Sequence, residues 1–175
     1  IASMAAYVAF DMSAHLRKPM TFFFRVAWLM GGAFVMGAGI WSMHFVGMLA
    51  FIMPMQMSYS LFWTGLSMIV AIIAAAIAFM LFTIKKPQIK HYVLSGIVLG
   101  VAILTMHYTG MAGMNDVKIH YEIGLFGLSI IIAIIAATAA LWFAVQSDAG
   151  SFGRRARLKL VSALIAGLAI VGMHY

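Results

Sequence analysis

The sequence predicts an all-α protein, a polytopic bundle of transmembrane helices, on three observations. Hydrophobic residues make up 65% of the 175 residues and charged residues only 9%, whereas a soluble domain has about 45–50% and about 25%. Several apolar runs reach the roughly 20 residues that a membrane-spanning helix needs. The sequence also repeats itself in units of one helix pair, which is typical of membrane folds built from parallel repeats.

Short polar breaks divide the chain into hydrophobic segments, which predicts about six visible helices. The chain opens inside one hydrophobic segment and stops inside another, so we expect it to be part of a longer protein and its first helix to be truncated. The predicted segments are 1–14, 22–53, 58–84, 92–114, 124–146 and 158–175.

The connections between these segments alternate in charge. Connections 15–18, 85–90 and 154–159, together with Arg25, hold ten of the eleven Lys and Arg residues, and the other connections hold one. Such asymmetry orients membrane proteins with their basic loops inside, so we expect these loops to be cytoplasmic. The formal charge of +7 is confined to clusters between apolar runs, which argues against nucleic-acid binding.

A short motif recurs in the second, fourth and sixth segments: Met-His followed by an aromatic residue. The histidines are His44, His107 and His174, which are 63 and 67 residues apart. Counted from the preceding basic residue at 1.5 Å per residue, each lies at a depth of roughly 22–29 Å. Three histidines at one depth on parallel helices can converge in the outer half of the bilayer, and we predict that they share a ligand.

Methionines accompany these histidines. Met48 and Met111 lie one helical turn beyond His44 and His107 on the same face, so we predict that they are auxiliary metal ligands or gates. A purely structural role, with each histidine hydrogen-bonded to a neighbouring helix, is the alternative. Auxiliary candidates flank the histidines: Met43, Met106, Met173, Tyr108 and Tyr175.

The donor atoms narrow the choice of metal. The chain has no cysteine, which excludes disulfides, thiolate zinc sites and iron–sulfur clusters. Imidazole suits several transition metals, whereas thioether sulfur favours Cu(I). A monovalent ion is also cheaper to bury beside neutral ligands than a divalent one. Copper is therefore the preferred prediction, and zinc and haem remain as alternatives.

Other small and charged residues predict helix packing. Gly110 and Gly47 lie beside the histidines, where they would let a neighbouring helix approach, and the pair Gly96 and Gly100 indicates close packing earlier in the fourth segment. Asp11 shares a helix face with Ser3 and Tyr7. We expect that face to point into the bundle, with Asp11 paired to Arg17 or Arg25 and a proton relay as the alternative.

Residues 1–175 resemble one MHYT domain, a family of bacterial integral membrane sensors. The resemblance rests on three motifs: Met43-His44-Phe45, Met106-His107-Tyr108 and Met173-His174-Tyr175. Residues 6–11 resemble the family's first helix, and Phe45 departs from the tyrosine of the signature. The resemblance implies seven helices, one of them not visible here. It also implies a sensor that binds copper and detects oxygen, carbon monoxide or nitric oxide.

The same resemblance implies partners and a location. The domain would lie in the bacterial inner membrane and regulate a cytoplasmic output in the same polypeptide, such as cyclic-di-GMP turnover or a kinase. This region itself would not be an enzyme. A homodimer and the sensing of copper itself remain open. The rival functions are a copper transporter or channel, disfavoured by the few polar residues in the inner halves of the even segments, and a zinc or haem redox protein.

Overall fold

The structure is a computed structural model that describes residues 1–50, 58–84, 88–114, 122–146 and 152–171. All regular structure in these ranges is helical, apart from one isolated bridge between Tyr59 and Met114. The helices are α1 (Ala2–His15), α2 (Phe22–Ala50), α3 (Leu61–Phe82), α4 (Ile89–Ala112), α5 (Ile123–Gln146) and α6 (Phe152–Val171).

The six helices close into a ring. Each helix packs against the next one along the chain, and α1 packs against α6. Helix α2 also contacts α4 and α6, so the even helices approach each other inside the ring. Within the described ranges, four helices are long and apolar enough to cross a membrane: Phe22–Ala50, Leu61–Leu81, Ile89–Ala112 and Phe126–Gln146. The predicted transmembrane helical bundle is thereby confirmed.

Consecutive helices are antiparallel, and the glycines of the even helices show why they pack closely. A Cβ on Gly37 of α2 would lie 2.6 Å from the Cα of Ile72 in α3, and one on Gly100 of α4 would lie 3.0 Å from the Cα of Ile134 in α5. Without a side chain, these glycines let two backbones meet. Each glycine precedes a motif histidine by seven residues.

Helix α6 repeats this contact and completes the ring. Gly167 precedes His174 by seven residues, and a Cβ there would meet Ser3 of α1, with the Ser3 backbone nitrogen at 3.3 Å. The crossings of α2 with α3, of α4 with α5 and of α6 with α1 are therefore equivalent. This cyclic equivalence places α2, α4 and α6 parallel, as the three helix-pair repeats predict.

The odd helices carry a repeat of their own. Each has three alanines spaced four and three residues apart and followed by a large apolar residue, all at most 5% exposed. Small side chains at this spacing line one helix face and let the even helices approach. The residues are Ala2, Ala6, Ala9 and Phe10 in α1, Ala71, Ala75, Ala78 and Phe79 in α3, and Ala133, Ala137, Ala140 and Leu141 in α5.

Two predictions, on the packing of α4 and on the start of α6, have clear outcomes. Gly96 and Gly100 lie against Thr138 and Ile134 of α5, which confirms the predicted close approach. Helix α6 begins at Phe152, six residues earlier than predicted. Arginine is a good helix former, and Arg157 of the first turns is exposed, so a charged cluster can be helical outside the apolar span.

Asp11 pairs differently from the prediction. Its carboxylate accepts a hydrogen bond and forms an ion pair with the Lys159 ammonium of α6. Arg25 instead donates to the backbone carbonyl of Leu16. Ser3 and Asp11 thus face α6, and the sequence could not reveal this partner because it lies 148 positions away. The ion pair joins the first and last described helices at the end of the bundle that carries Lys18, which we call the basic end.

Candidate metal-binding site

Two motif histidines meet between α2 and α4. The Nδ1 atoms of His44 and His107 are 3.2 Å apart, and their rings cross at 74° with centroids 4.8 Å apart. His44 is only 1% exposed, whereas His107 is half-buried. The two residues are equivalent in their repeats, so the parallel placement of α2 and α4 brings them together at one level.

Gly110 makes room for His44. A Cβ at Gly110 would lie 2.6 Å from Nε2 and 3.0 Å from Cδ2 of His44. The imidazole of one repeat therefore packs directly on the glycine that follows the histidine of the next repeat. The prediction that Gly110 permits close approach is confirmed, and the group that approaches it is the candidate ligand itself. Gly47, its equivalent in α2, stays a prediction.

Aromatic rings surround the histidine pair. Phe45 packs edge-on against His44, with centroids 4.9 Å apart, and Tyr108 does the same against His107 at 5.0 Å. Tyr59, just before α3, reaches Phe45 with centroids 5.7 Å apart. Its hydroxyl is buried without a hydrogen-bond partner among the residues that the structure describes, and burial raises the pKa of this phenol. The phenol therefore stays protonated beside an apolar wall.

The methionines of the motif occupy different environments. Met48 is 7% exposed and belongs to the buried face of α2, and Met111 is half-buried. Met106, at 1% exposed, is part of the hydrophobic core, and Met43 packs against that core. Burial of Met48 on the helix face of His44 is compatible with the predicted ligand role. The auxiliary roles predicted for Met43 and Met106 stay predictions.

The third copy of the motif lies outside the described residues. His174, Met173 and Tyr175 belong to it, so their predicted roles stay predictions. Among the described residues, no group of three or more His, Cys, Asp or Glu side chains could hold a metal ion. The structure does place Gly167, seven residues before His174. Helix α6 crosses α1 at this glycine, as α2 crosses α3 at Gly37.

The spacing of the two imidazoles fits a metal ion as well as a hydrogen bond. Two nitrogens bound at about 2.0–2.1 Å to a tetrahedral metal lie about 3.3 Å apart. The observed Nδ1–Nδ1 distance of 3.2 Å matches that separation. It also fits one neutral imidazole donating to the other. The donor set contains imidazole and, on the same helix face, thioether, which suits a soft monovalent ion.

Sequence reasoning missed several residues that shape the site. The glycines at positions 37, 100 and 167 set the helix crossings, and their constant spacing before the histidines would have revealed them once the three copies were aligned. Tyr59 carried no such signal, because it lies in a connection without a repeat. Its position depends on a hydrogen bond from the Ser60 backbone N–H to the Gly113 carbonyl, 2.9 Å long.

Comparison with known proteins points to one family. The pattern of the MHYT family, described as a bacterial signalling protein N-terminal repeat, matches residues 37–94 and 100–157. The chain is 43% identical over its full length to the bifunctional diguanylate cyclase/cyclic di-GMP phosphodiesterase MucR of Pseudomonas aeruginosa, of which it covers 25%. No solved structure matches the chain significantly.

Two further relatives also match the whole chain. Identity is 37% to the cyclic di-GMP phosphodiesterase NbdA of Pseudomonas aeruginosa and 36% to the signaling protein YkoW of Bacillus subtilis. The chain spans 22% of each relative, so it corresponds to their repeat region and not to the phosphodiesterase that the name of NbdA describes. Two family matches, three relatives along the whole chain and a membrane-compatible helical ring agree: the chain belongs to the MHYT family of bacterial signalling proteins.

Proposed function

We propose that this chain is a membrane-embedded sensory domain that binds copper through His44, His107 and His174 and detects a diatomic gas there. The observation that carries the proposal is the 3.2 Å approach of Nδ1 of His44 to Nδ1 of His107. His174 joins them by repeat equivalence, because it follows Gly167 as the other two follow Gly37 and Gly100. Met48 and Met111 would supply thioether sulfur.

The surroundings of the histidine pair favour a monovalent ion. His44 is 1% exposed, and among the described residues its ring neighbours are Phe45 and His107. Helices α2 and α4 themselves contain no Asp or Glu. Burying a divalent ion there without a carboxylate would cost more free energy than burying Cu(I). Once bound, copper would supply a coordination position for oxygen, carbon monoxide or nitric oxide, and the protein would supply an enclosure that excludes water.

Signalling requires that the gas favour one of two helix arrangements. The histidines come from helices that pack closely on their neighbours at glycines, so a change in coordination would act directly on those crossings. Two relatives are named for cyclic-di-GMP turnover. We therefore propose a cytoplasmic output of that kind in the same polypeptide, with the domain in the bacterial inner membrane and its basic end in the cytoplasm.

A copper transporter or channel is the rival function. It would need a polar route from the histidine pair to the basic end. The described interior of α2 and α4 along that route is mainly apolar, with Met36, Ile40, Leu99 and Ile103 at most 5% exposed. This lining favours one enclosed site over a conducting path.

Metal analysis of purified full-length protein tests the proposal. We expect one or two copper ions per chain and no Soret band, with at least a tenfold loss of Cu(I) affinity in His44→Ala, His107→Ala and His174→Ala, because outer-shell changes alone typically cost 10–100-fold. The matched control is His91→Ala. That imidazole accepts a hydrogen bond from the Gln88 backbone N–H at the start of α4, far from the motif.

Three outcomes would contradict this assignment. If the motif variants keep wild-type copper affinity, the histidines are structural hydrogen-bonding residues. If His91→Ala loses copper as severely as His44→Ala, the repeat does not define the site. Retention of zinc in place of copper, or a strong Soret band, would move the assignment to one of the alternative cofactors.

A further inference from the structure

A cleft opens beside the histidine pair, between α4 and α5, with a volume of about 520 Å³. Val101 and Phe126, which are 47% and 40% exposed, flank it on the outer surface of the bundle. Trp63 of α3 contributes to its lining. In a membrane this face meets lipid, so the cleft joins the hydrocarbon interior to the level of His107.

The wall of this cleft is mainly apolar. The Thr105 hydroxyl donates to the Val101 carbonyl at 2.8 Å, which ties it to its own helix. Leu104 and Ile130 supply aliphatic surface. A small apolar solute moves favourably from water into such surroundings, so lipid and cleft together form a continuous medium for a neutral gas.

Tyr108 connects the cleft with the histidine pair. It lines the cleft, and its ring contacts both Phe126, with centroids 5.1 Å apart, and His107, with centroids 5.0 Å apart. The cleft beside this half-buried ring leaves space into which it can turn. Movement of this one ring would connect the cleft with the imidazole of His107.

The first repeat shows what closes the equivalent space. Trp41 occupies the position of Leu104, 63 residues earlier. Its indole N–H donates to the Thr64 carbonyl at 3.0 Å, and its ring contacts Phe45, the equivalent of Tyr108, at 4.9 Å. The indole therefore bridges α2 and α3 where α4 and α5 leave a gap. The second repeat has leucine in place of this tryptophan, and that leucine lines the cleft.

We propose that the cleft between α4 and α5 is a lateral portal through which a neutral diatomic gas enters from the lipid, with Tyr108 as its gate. This inference rests on the proposed gas binding at the histidine site. It goes further by naming the route, the gate and the reason that one repeat provides the entrance.

The probe is carbon monoxide, added to copper-loaded full-length protein in lipid nanodiscs, with rebinding followed after laser photolysis. Leu104→Trp copies the closed first repeat, and Val101→Trp fills the cleft from an exposed position that does not disturb the core. Both should slow association and dissociation by roughly tenfold, because both steps cross the same barrier. The dissociation constant should stay unchanged, which a damaged metal site would not produce.

Val93→Trp is the matched control. Val93 lines a separate groove of about 420 Å³ between the same two helices, nearer the basic end, so its rates should equal those of wild type. Trp41→Leu should open a second entrance and speed both steps. Unchanged rates in both Leu104→Trp and Val101→Trp, with normal binding in wild type, overturn the portal alone. Absence of carbon monoxide binding in copper-loaded wild type overturns gas sensing and the portal together.

Discussion

Nδ1 of His44 and Nδ1 of His107 lie 3.2 Å apart, although 63 residues separate them in the sequence. Equivalent residues in a repeat usually occupy separate places. Here the two equivalent histidines contact each other, because α2 and α4 are parallel and meet inside the closed ring of helices. A cyclic arrangement of helix pairs therefore builds a shared site from a motif that contains only one histidine.

Met48→Leu should lower Cu(I) affinity less than His44→Ala does. Met48 is 7% exposed. Leucine keeps its buried volume and removes only the sulfur, so the free energy of unfolding should change by less than about 1.5 kcal/mol. Competition with a colorimetric Cu(I) chelator measures the affinity. An effect as large as that of His44→Ala would make Met48 a principal ligand and not an auxiliary one.

Gly110→Ala should weaken metal binding while the protein still folds. The added methyl group would lie 2.6 Å from Nε2 of His44, and the ring can rotate away because it is the end of a side chain. We expect lower copper affinity with a nearly unchanged melting temperature.

Gly127→Ala in α5 is the control for Gly110→Ala, since a Cβ there meets none of the described residues within 4 Å. Metal titration and thermal unfolding of both variants in the same detergent separate the two effects. Wild-type copper affinity in Gly110→Ala would show that the His44 ring position does not matter for binding.

Gly37→Ala and Gly100→Ala should instead destabilise the fold. At these positions the added methyl group meets backbone atoms, the Ile72 Cα at 2.6 Å and the Ile134 Cα at 3.0 Å, and a backbone cannot move aside as a side chain can. Overpacking of this kind costs about 1–3 kcal/mol. The measurement is the free energy of unfolding in mixed micelles.

Gly65→Ala is the comparison for these two variants. Gly65 lies inside α3 with nothing within 4 Å of its Cβ position, so alanine should be neutral or stabilise the helix by up to about 1 kcal/mol. Equal stability of Gly37→Ala and Gly65→Ala would mean that the close crossing of α2 and α3 is not required.

The sequence predicted the bundle well because lipid imposes simple rules. Long uncharged runs must be helices, since no other open structure satisfies its backbone in hydrocarbon. The histidine repeat was visible because polar residues are rare in such runs. Helix ends were less certain: α6 starts at Phe152, since arginines extend a helix into water without an apolar signal.

Contacts between helices could be predicted only where a repeat fixed them. His44 and His107 share a motif, so their meeting followed from depth and direction. Lys159 and Asp11 share none, and many basic residues at the same end could have taken the place of Lys159. Tyr59 reaches Phe45 through a connection whose path depends on backbone hydrogen bonds, and no periodicity encodes that path.

Single cysteines should report the orientation of the ring. The chain has no cysteine of its own, so Glu122→Cys and Arg154→Cys introduce unique thiols at exposed positions on opposite ends of the bundle. We expect an impermeant maleimide to label Glu122→Cys in intact cells and Arg154→Cys only after lysis. The reverse pattern would place the basic end outside and the histidines in the inner leaflet.

Removing either partner of the ion pair between α1 and α6 should lower the stability of the protein, but by different amounts for Asp11 and for Lys159. The Lys159 side chain is 14% exposed and the Asp11 side chain 50%. Asp11→Asn leaves a mostly buried ammonium without its counter-ion, which is costly, and we expect a loss of about 1–2 kcal/mol. Lys159→Met leaves a carboxylate that water can reach, so the loss should be only about 0.5 kcal/mol.

The double variant Asp11→Asn/Lys159→Met completes a thermodynamic cycle for this pair. It should be about as stable as Lys159→Met alone, because the buried charge has gone in both. The free energy of unfolding in mixed micelles, compared across the four proteins, provides the test. The two single variants could instead lose equal amounts of stability, with the two losses adding up in the double variant. That result would mean that Asp11 and Lys159 do not interact, and that the contacts of Gly167 with Ser3 close the ring without them.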